Sequence, residues 1–365
     1  MRSVAGRLPA GVKRHLASLV PSKGRYPDFI GIGAQKAGTT WLYRNLRDHP
    51  QIWMPKKEVH YFDQKINDTS FKLSARLFGK RAEDQAWRQQ VKHWTGVHLK
   101  KFSLPGLLWV YRYYMRPPDD GWYAALFGAQ DGKIVGEITP NYSVLNRKQI
   151  AHVHEIMPEA RIILLMRNPI ERAWSQTVMY FDKREGRRVE EVPEEEFLDF
   201  SRSQSSLHTD YLRTLENWGA FFDDEQIFVG FLEDIHFYPN RLLARLYRFL
   251  GVDPSANRKV IRRKIHSRDV ETMPTRLAAR LAEAHLEDAK TLEERFGGYA
   301  SFWRYAAQRL IEDPPDSESI AYPLWGSPLW EDWLKESGLD PAPGSSEASP
   351  QSGPLSSVQD LSKRE

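Results

Sequence analysis

Two stretches of this chain set phosphate-binding chemistry at the end of an apolar run. In the first, Phe29-Ile30-Gly31-Ile32-Gly33 leads through Ala34-Gln35-Lys36-Ala37-Gly38 into Thr39-Thr40-Trp41-Leu42. A glycine-rich turn between a strand and a helix aims backbone N–H groups at an anion, and the helix dipole adds to their pull. In the second, the apolar run Arg161 to Met166 ends at Arg167, and Ser175 follows eight residues later. An arginine at a strand end offers a two-pronged, charge-assisted grip on a phosphate. One such segment is a weak signal. Two of them imply a nucleotide with phosphates at both ends. The bland reading uses the same residues: a glycine turn without a ligand, and a helix start with Asn168 as N-cap, Pro169 first and Glu171 third.

The first loop is not a Walker A sequence, in which a lysine follows the second glycine of Gly-x4-Gly-Lys-Ser/Thr. Here Thr39 stands after Gly38, and the lysine has moved to Lys36. That relocation puts an ammonium beside the bond to be broken, with no Lys-Ser/Thr pair to organise Mg²⁺.

Gln35 to Trp41 resembles the 5′-phosphosulfate loop of the sulfotransferases that use 3′-phosphoadenylyl sulfate (PAPS). The resemblance implies that Lys36, Ala37, Gly38, Thr39, Thr40 and Trp41 line the sulfate end of the nucleotide. It also implies that Arg167 and Ser175, at the family's spacing, hold the 3′-phosphate. Lys56-Lys57-Glu58-Val59-His60-Tyr61-Phe62-Asp63 looks like a segment of the glycosaminoglycan-type branch related to the heparan sulfate enzymes. Carried over by position, Glu58 is the base that takes the acceptor's proton, with His60 and Asp63 as its acceptor-side partners. A surface carboxylate paired with Lys56 or Lys57 is the plainer reading of Glu58. If the segment is extended, Glu58 and His60 point to one side and Asp63 to the other. Glu137-Ile138-Thr139-Pro140-Asn141-Tyr142 resembles the family's Glu-Lys-Thr-Pro-x-Tyr strand end, except that Ile138 replaces the lysine. Glu137, Thr139 and Tyr142 read as packing residues near the cleft. The basic run Arg262 to Arg268, with Ser267 and Arg268, loosely resembles a family loop that closes over the nucleotide phosphates; a solvated basic loop is the competing reading. The resemblance implies PAPS as co-substrate, PAP as product, no required metal, and a small-molecule or glycan acceptor such as a carbohydrate or glycolipid. A P-loop small-molecule kinase and a nucleotide-binding protein without turnover are the competing readings.

These groups need a rigid frame. Asp28 to Gly33, Lys133 to Ile138, Arg161 to Met166 and Gln226 to Phe231 are apolar runs of the length of strands buried on both faces. Helical patterns alternate with them, which predicts an α/β, three-layer, P-loop-like fold around a parallel sheet. One long helix is expected from Glu233 to Leu250, stopping at Gly251, and helix again over 274–311. The acidic run Glu190 to Glu196 reads as a solvated helix start. Residues 27–312 are expected to form the main domain, with 64–130 a helical acceptor or lid region and 313–339 an extension. Residues 340–365 lack the apolar content to fold and read as a disordered tail. Residues 1–26 form a basic leader, for which solvation, membrane-surface contact or an organellar presequence are open.

The 365 residues, 41% hydrophobic, suffice for a large core. A net charge of +4 suits an anionic ligand, but no nucleic-acid module is recognisable. The absence of cysteine excludes thiol chemistry and tilts the expectation towards the cytoplasm. No apolar stretch is long enough to read as a transmembrane helix.

Overall fold

The computed structural model describes residues 24–55, 58–65, 72–128, 132–256, 271–338 and 353–354. The chain opens with β1 (Phe29–Gly33), α1 (Thr39–Arg47) and a two-residue strand β2 (Ile52–Trp53). Four helices follow: α2 (Leu73–Phe78), α3 (Ala82–Lys100), α4 (Leu104–Met115) and α5 (Asp120–Phe127). Next come β3 (Ile134–Ile138), α6 (Arg147–Ile156), β4 (Arg161–Met166) and α7 (Pro169–Tyr180). After α8 (Glu194–Phe200), α9 (Ser206–Thr209) and α10 (Tyr211–Gly219), the chain returns to the sheet as β5 (Ile227–Phe231). The last helices are α11 (Leu232–Phe237), α12 (Pro239–Leu250), α13 (Thr275–Phe296), α14 (Tyr299–Glu312) and α15 (Pro328–Ser337). Two small strands, β6 (Thr272–Pro274) and β7 (Ser319–Ala321), pair with each other.

The main sheet has the order β2-β3-β1-β4-β5-β8, where β8 is Gly353–Pro354. Its first five strands are parallel, and β8 runs antiparallel to β5. Helices cover both faces, so the central strands are apolar along their whole length; Ile162 to Met166 are all 0% exposed. The expected α/β three-layer architecture is therefore the one found. After β1 the chain moves towards β2, whereas after β4 it moves towards β5. Ligands of open α/β sheets bind where the connections part in this way, at the strands' carboxyl ends. Both segments expected to bind phosphate leave the sheet at that point.

Close packing fixes the strand spacing. A Cβ on Gly136 would lie 2.3 Å from the ring of Phe29, and one on Gly31 would lie 2.7 Å from Ile138 Cγ1. Ile138 is fully buried by this contact.

Two expectations need correction. The helix expected over Glu233 to Leu250 is two helices, because Pro239 lacks the N–H that a continuous helix needs, and the chain restarts with it at the first position. Gly251 does end the second, at φ 72. Gly353 and Pro354, inside the expected tail, pair with β5. β2 is too short to leave a periodic signature. Among the described residues no helix is long and apolar enough to cross a membrane.

Gly136→Ala is expected to lower the unfolding free energy by about 1–3 kcal/mol through overpacking. Gly96→Ala on α3, where a Cβ meets nothing within 4 Å, is expected to raise it by about 1 kcal/mol or less. Urea titrations read both signs, and equal midpoints for the two variants would contradict this packing.

Candidate active site

The loop after β1 is shaped by two left-handed residues, Lys36 at φ 71 and Gly38 at φ 88. Gly38 is also sterically required, since a Cβ there would lie 2.5 Å from Ile235 Cδ1. It caps α1 with no side-chain hydrogen bond, and the first turn of α1 carries no acidic residue. The amides of Thr39 and Thr40 thus open a helix whose start is left for an anion. Ala37 and Trp41 are 0% and 4% exposed, so what these two can offer a ligand is main chain.

Arg167 leaves β4 and is buried beside this loop. Its Nη1 donates to the carbonyl oxygen of Lys36 at 3.2 Å, which supports that residue's left-handed backbone. The two-pronged grip expected on a phosphate falls here on Glu171 Oε2, from Nε at 3.0 Å and Nη2 at 2.8 Å. Nη2 also donates to the Tyr322 hydroxyl at 2.7 Å, and Leu324 N donates to Glu171 Oε1 at 2.8 Å. Burial disfavours the guanidinium's charge, but Tyr322 and Glu171 outweigh it and raise its pKa further. Asn168 caps α7 by accepting from Ile170 N at 3.0 Å, with Pro169 first, as expected. Ser175 is half-buried on α7, one turn beyond Glu171 and one before Met179. Met179 Sδ lies 3.7 Å from Lys36 Nζ, so this face of α7 looks onto the loop.

The acceptor-side residues come together in a way that an extended chain would forbid. His60 has φ 58, and Tyr61 to Lys65 form a π-turn. Asp63 therefore swings back to His60 rather than pointing to the opposite side, which corrects the alternation argument. His60 Nδ1 lies 2.8 Å from Asp63 Oδ2, and His60 Nε2 lies 3.5 Å from Glu58 Oε2. Burial alone would lower the imidazole's pKa, but Asp63 and then Glu58 override it and raise it to about 9. His60 is thus an imidazolium at neutral pH, holding both carboxylates. Asn141 Nδ2 donates to Asp63 Oδ2 at 2.6 Å, and its Oδ1 accepts from Gln35 Nε2 at 3.4 Å. A chain of polar contacts therefore runs from Glu58 through His60, Asp63 and Asn141 to the phosphate loop.

Glu137 anchors this segment from beneath. Fully buried, it accepts from Tyr123 and Thr139 hydroxyls at 2.6 and 2.7 Å, from Tyr142 at 3.1 Å, and from Val59 N at 3.3 Å. Burial raises its pKa despite these donors. Tyr142 in turn accepts from Tyr61 N at 2.9 Å. Sequence reasoning missed Asn141, Gln35, Glu171 and Tyr322. Asn141 was inside a quoted motif, and Glu171 stands four residues after Arg167, which is ion-pair spacing on a helix. Ser267 and Arg268, with Lys56 and Lys57, lie outside the described residues.

A profile described as "Sulfotransferase family" matches residues 27–256. The chain belongs to that family. Mouse heparan sulfate glucosamine 3-O-sulfotransferase 6 is 24% identical over 241 residues, 64% of this chain and 54% of that protein. The membrane-associated sulfotransferase kil1 of Dictyostelium discoideum is 26% identical over 174 residues, 47% of this chain and 27% of that protein. The chain thus spans about half or less of the length of these curated relatives. A sulfotransferase from Alicyclobacillus acidocaldarius superposes with a TM-score of 0.45 at 22% identity, covering 73% of this chain and 94% of that one.

Because the His60 pKa is raised on folding, its contribution to stability is full below the ordinary 6.5 and is lost as pH rises through about 9. Asp63→Asn should lower the imidazole from about 9 towards 6.5 and weaken that decline, Glu58 remaining as the second partner. NMR titration of the His60 ring, with urea unfolding at pH 6 and 9.5, checks both; an unmoved titration would show that Asp63 does not hold the imidazolium.

Proposed function

We propose that this protein transfers the sulfuryl group of PAPS to a hydroxyl or amine of an acceptor, such as a carbohydrate or glycolipid. The observation that carries the reading is the hydrogen bond from Arg167 to the Lys36 carbonyl. It couples the two segments to which the resemblance assigns opposite ends of one nucleotide, at the point where the sheet's connections part. The uncapped start of α1 suits the 5′ end of PAPS, with the amides of Thr39 and Thr40 and the Lys36 ammonium facing the bridging phosphate. Arg167 and Ser175 take the 3′-phosphate, and the Tyr322 hydroxyl gives up its bond to Arg167 as that phosphate arrives.

In the transfer, the acceptor oxygen or nitrogen forms a bond to sulfur while the sulfur–oxygen bond to the 5′-phosphate breaks. The acceptor's proton goes to Glu58, a general-base contribution of about 10²–10⁴-fold. Charge developing on departing PAP is met by Lys36 and the loop amides. The His60 imidazolium fixes the Glu58 carboxylate, and Asp63, held by Asn141, fixes the imidazolium. Remote binding at the 3′-phosphate aligns sulfur with the attacking atom. The cysteine-free composition favours a reducing compartment, and we place the protein in the cytoplasm.

Glu58→Gln should keep PAP affinity within a factor of about three while transfer of radiolabelled sulfate from PAPS falls by about 10²-fold or more. Transfer at the parental rate would remove the base from the mechanism, and stabilisation by ATP above that by PAP in thermal unfolding would favour a kinase. Tyr322→Phe should strengthen PAP binding in calorimetry, since the hydroxyl no longer competes for Arg167; a weaker complex would show that the hydroxyl itself holds the nucleotide.

A further inference from the structure

The antiparallel helices α3 and α4 form a hairpin whose chemistry is unlike that of the rest of the surface. Between Asp84 and Asp119 there is no acidic residue, while Arg88, Lys92, Lys100, Lys101, Arg112 and Arg116 are all basic. This stretch takes six of the 52 Lys and Arg and none of the 48 Asp and Glu, leaving 46 against 48 elsewhere, so it alone outweighs the chain's net charge of +4. At its turn, Phe102 is 97% exposed, Leu99 56% and Leu104 44%. Lys100 and Lys101, both exposed, stand between them.

The turn is built rather than loose. Phe102 N donates to Leu99 O at 3.0 Å, Ser103 N to His98 O at 2.9 Å, and Gly106 N to the Ser103 hydroxyl, which caps α4, at 3.2 Å. Phe102 is held at φ 49, a left-handed conformation that bulky residues rarely take, and it directs the ring outward. Nine residues further along α4, Tyr113 donates to Val59 O, next to Glu58, at 3.3 Å. The tip therefore stands about 14 Å along the helix from the candidate base segment.

We propose that the Leu99–Leu104 turn docks on the surface of a bilayer containing anionic lipid, with Phe102 entering the headgroup region and Lys100 and Lys101 meeting the lipid phosphates. Apolar and aromatic side chains flanking two lysines, in a stretch of sequence without acidic residues, match an interface that is apolar below and anionic above. A soluble polyanion would satisfy the lysines and leave Phe102, Leu99 and Leu104 in water. The proposal does not depend on the sulfuryl-transfer reading.

The chain has no cysteine, so Phe102→Cys in the full-length protein gives one site for an environment-sensitive nitrobenzoxadiazole label. With phosphatidylcholine vesicles containing about 30% phosphatidylglycerol, the label's emission should shift to the blue and gain intensity. Pure phosphatidylcholine, or a label at Glu225→Cys on the far end of β5, should give no shift. Lys100→Glu with Lys101→Glu should weaken vesicle binding by tenfold or more, from about fivefold per lysine near an anionic surface, and Phe102→Ser should weaken it by about tenfold. Thermal unfolding midpoints in vesicle-free buffer should be unchanged in both variants, which checks that they fold. No shift at position 102, an equal shift at position 225, or heparin binding that needs the two lysines but not Phe102 would overturn the proposal. So would a Phe102-dependent dimer in sedimentation, which would show a second copy covering the turn.

Discussion

The site rests on one buried cation. Arg167 is desolvated at the end of β4, and burying a guanidinium is tolerable only when its donors are met. Glu171 supplies the countercharge from the next helix, Tyr322 a hydroxyl from the C-terminal segment, and Lys36 a carbonyl from the phosphate loop. Removing one partner of such a pair typically costs about 3–5 kcal/mol, so the loop's left-handed turn inherits the rigidity of the sheet. The neighbouring groups are graded accordingly. Arg172, also buried, bonds to Thr209 Oγ1 and the Ser205 oxygens, and burial pushes its pKa down to about 10. The Glu233 carboxyl is pushed up to about 8 by burial and then by Glu171, and it meets Trp303 Nε1 at 2.6 Å as a neutral acid near pH 7. One full charge pair is kept where the loop needs it.

The second anchor is Glu137, on the other side of β1. It reaches the Glu58 segment through a main-chain amide, Val59 N, and through Tyr142, which holds Tyr61 N. The Glu58 segment and the loop after β1 are therefore tied to the carboxyl ends of β3 and β4, with β1 between them. Because parallel strands at fixed register cannot slide past one another without exposing their apolar faces, the distance between the two halves is set by the sheet. Asn141, just after β3, then needs only one amide to span from Asp63 to Gln35.

Much of this was legible because it is local. The four long strands showed as apolar runs, and Asn168-Pro169 and Gly251 as helix boundaries with a mechanism. The glycine-rich turn from Gly33 to Gly38 showed as a strand-to-helix loop suited to an anion. What was hidden depended on tertiary context. Asp63 was assigned to the wrong side because period-two alternation assumes extended backbone, and His60 breaks it with a positive φ. Glu171 looked like a capping-box residue, yet its carboxylate serves Arg167 and the amide of Leu324, over 150 residues away. Tyr322 carried no signal at all, since nothing in its neighbourhood refers to β4. Glu137 was ranked with packing residues; it is buried among them, but its work is done by hydrogen bonds to four separate donors.

The distribution of charge separates chemistry from anchoring. Among the described residues, Glu58, His60 and Asp63 are joined by ion pairs, and Asn141 donates to Asp63. The place where the resembling enzymes have a lysine is Ile138, and its side chain is committed to the core against Gly31. A run of cations from Arg88 to Arg116, with no acidic residue among them in sequence, lies on the α3–α4 hairpin beyond Glu83 and Asp84 in its first turn. Coulombic attraction there can raise the local concentration of an anionic surface without altering the Glu58–His60–Asp63 balance, because about 14 Å of helix exceeds the Debye length of roughly 8 Å at physiological salt. The hydrogen bond from Tyr113 to Val59 O, at 3.3 Å, is the contact between this hairpin and the Glu58 segment.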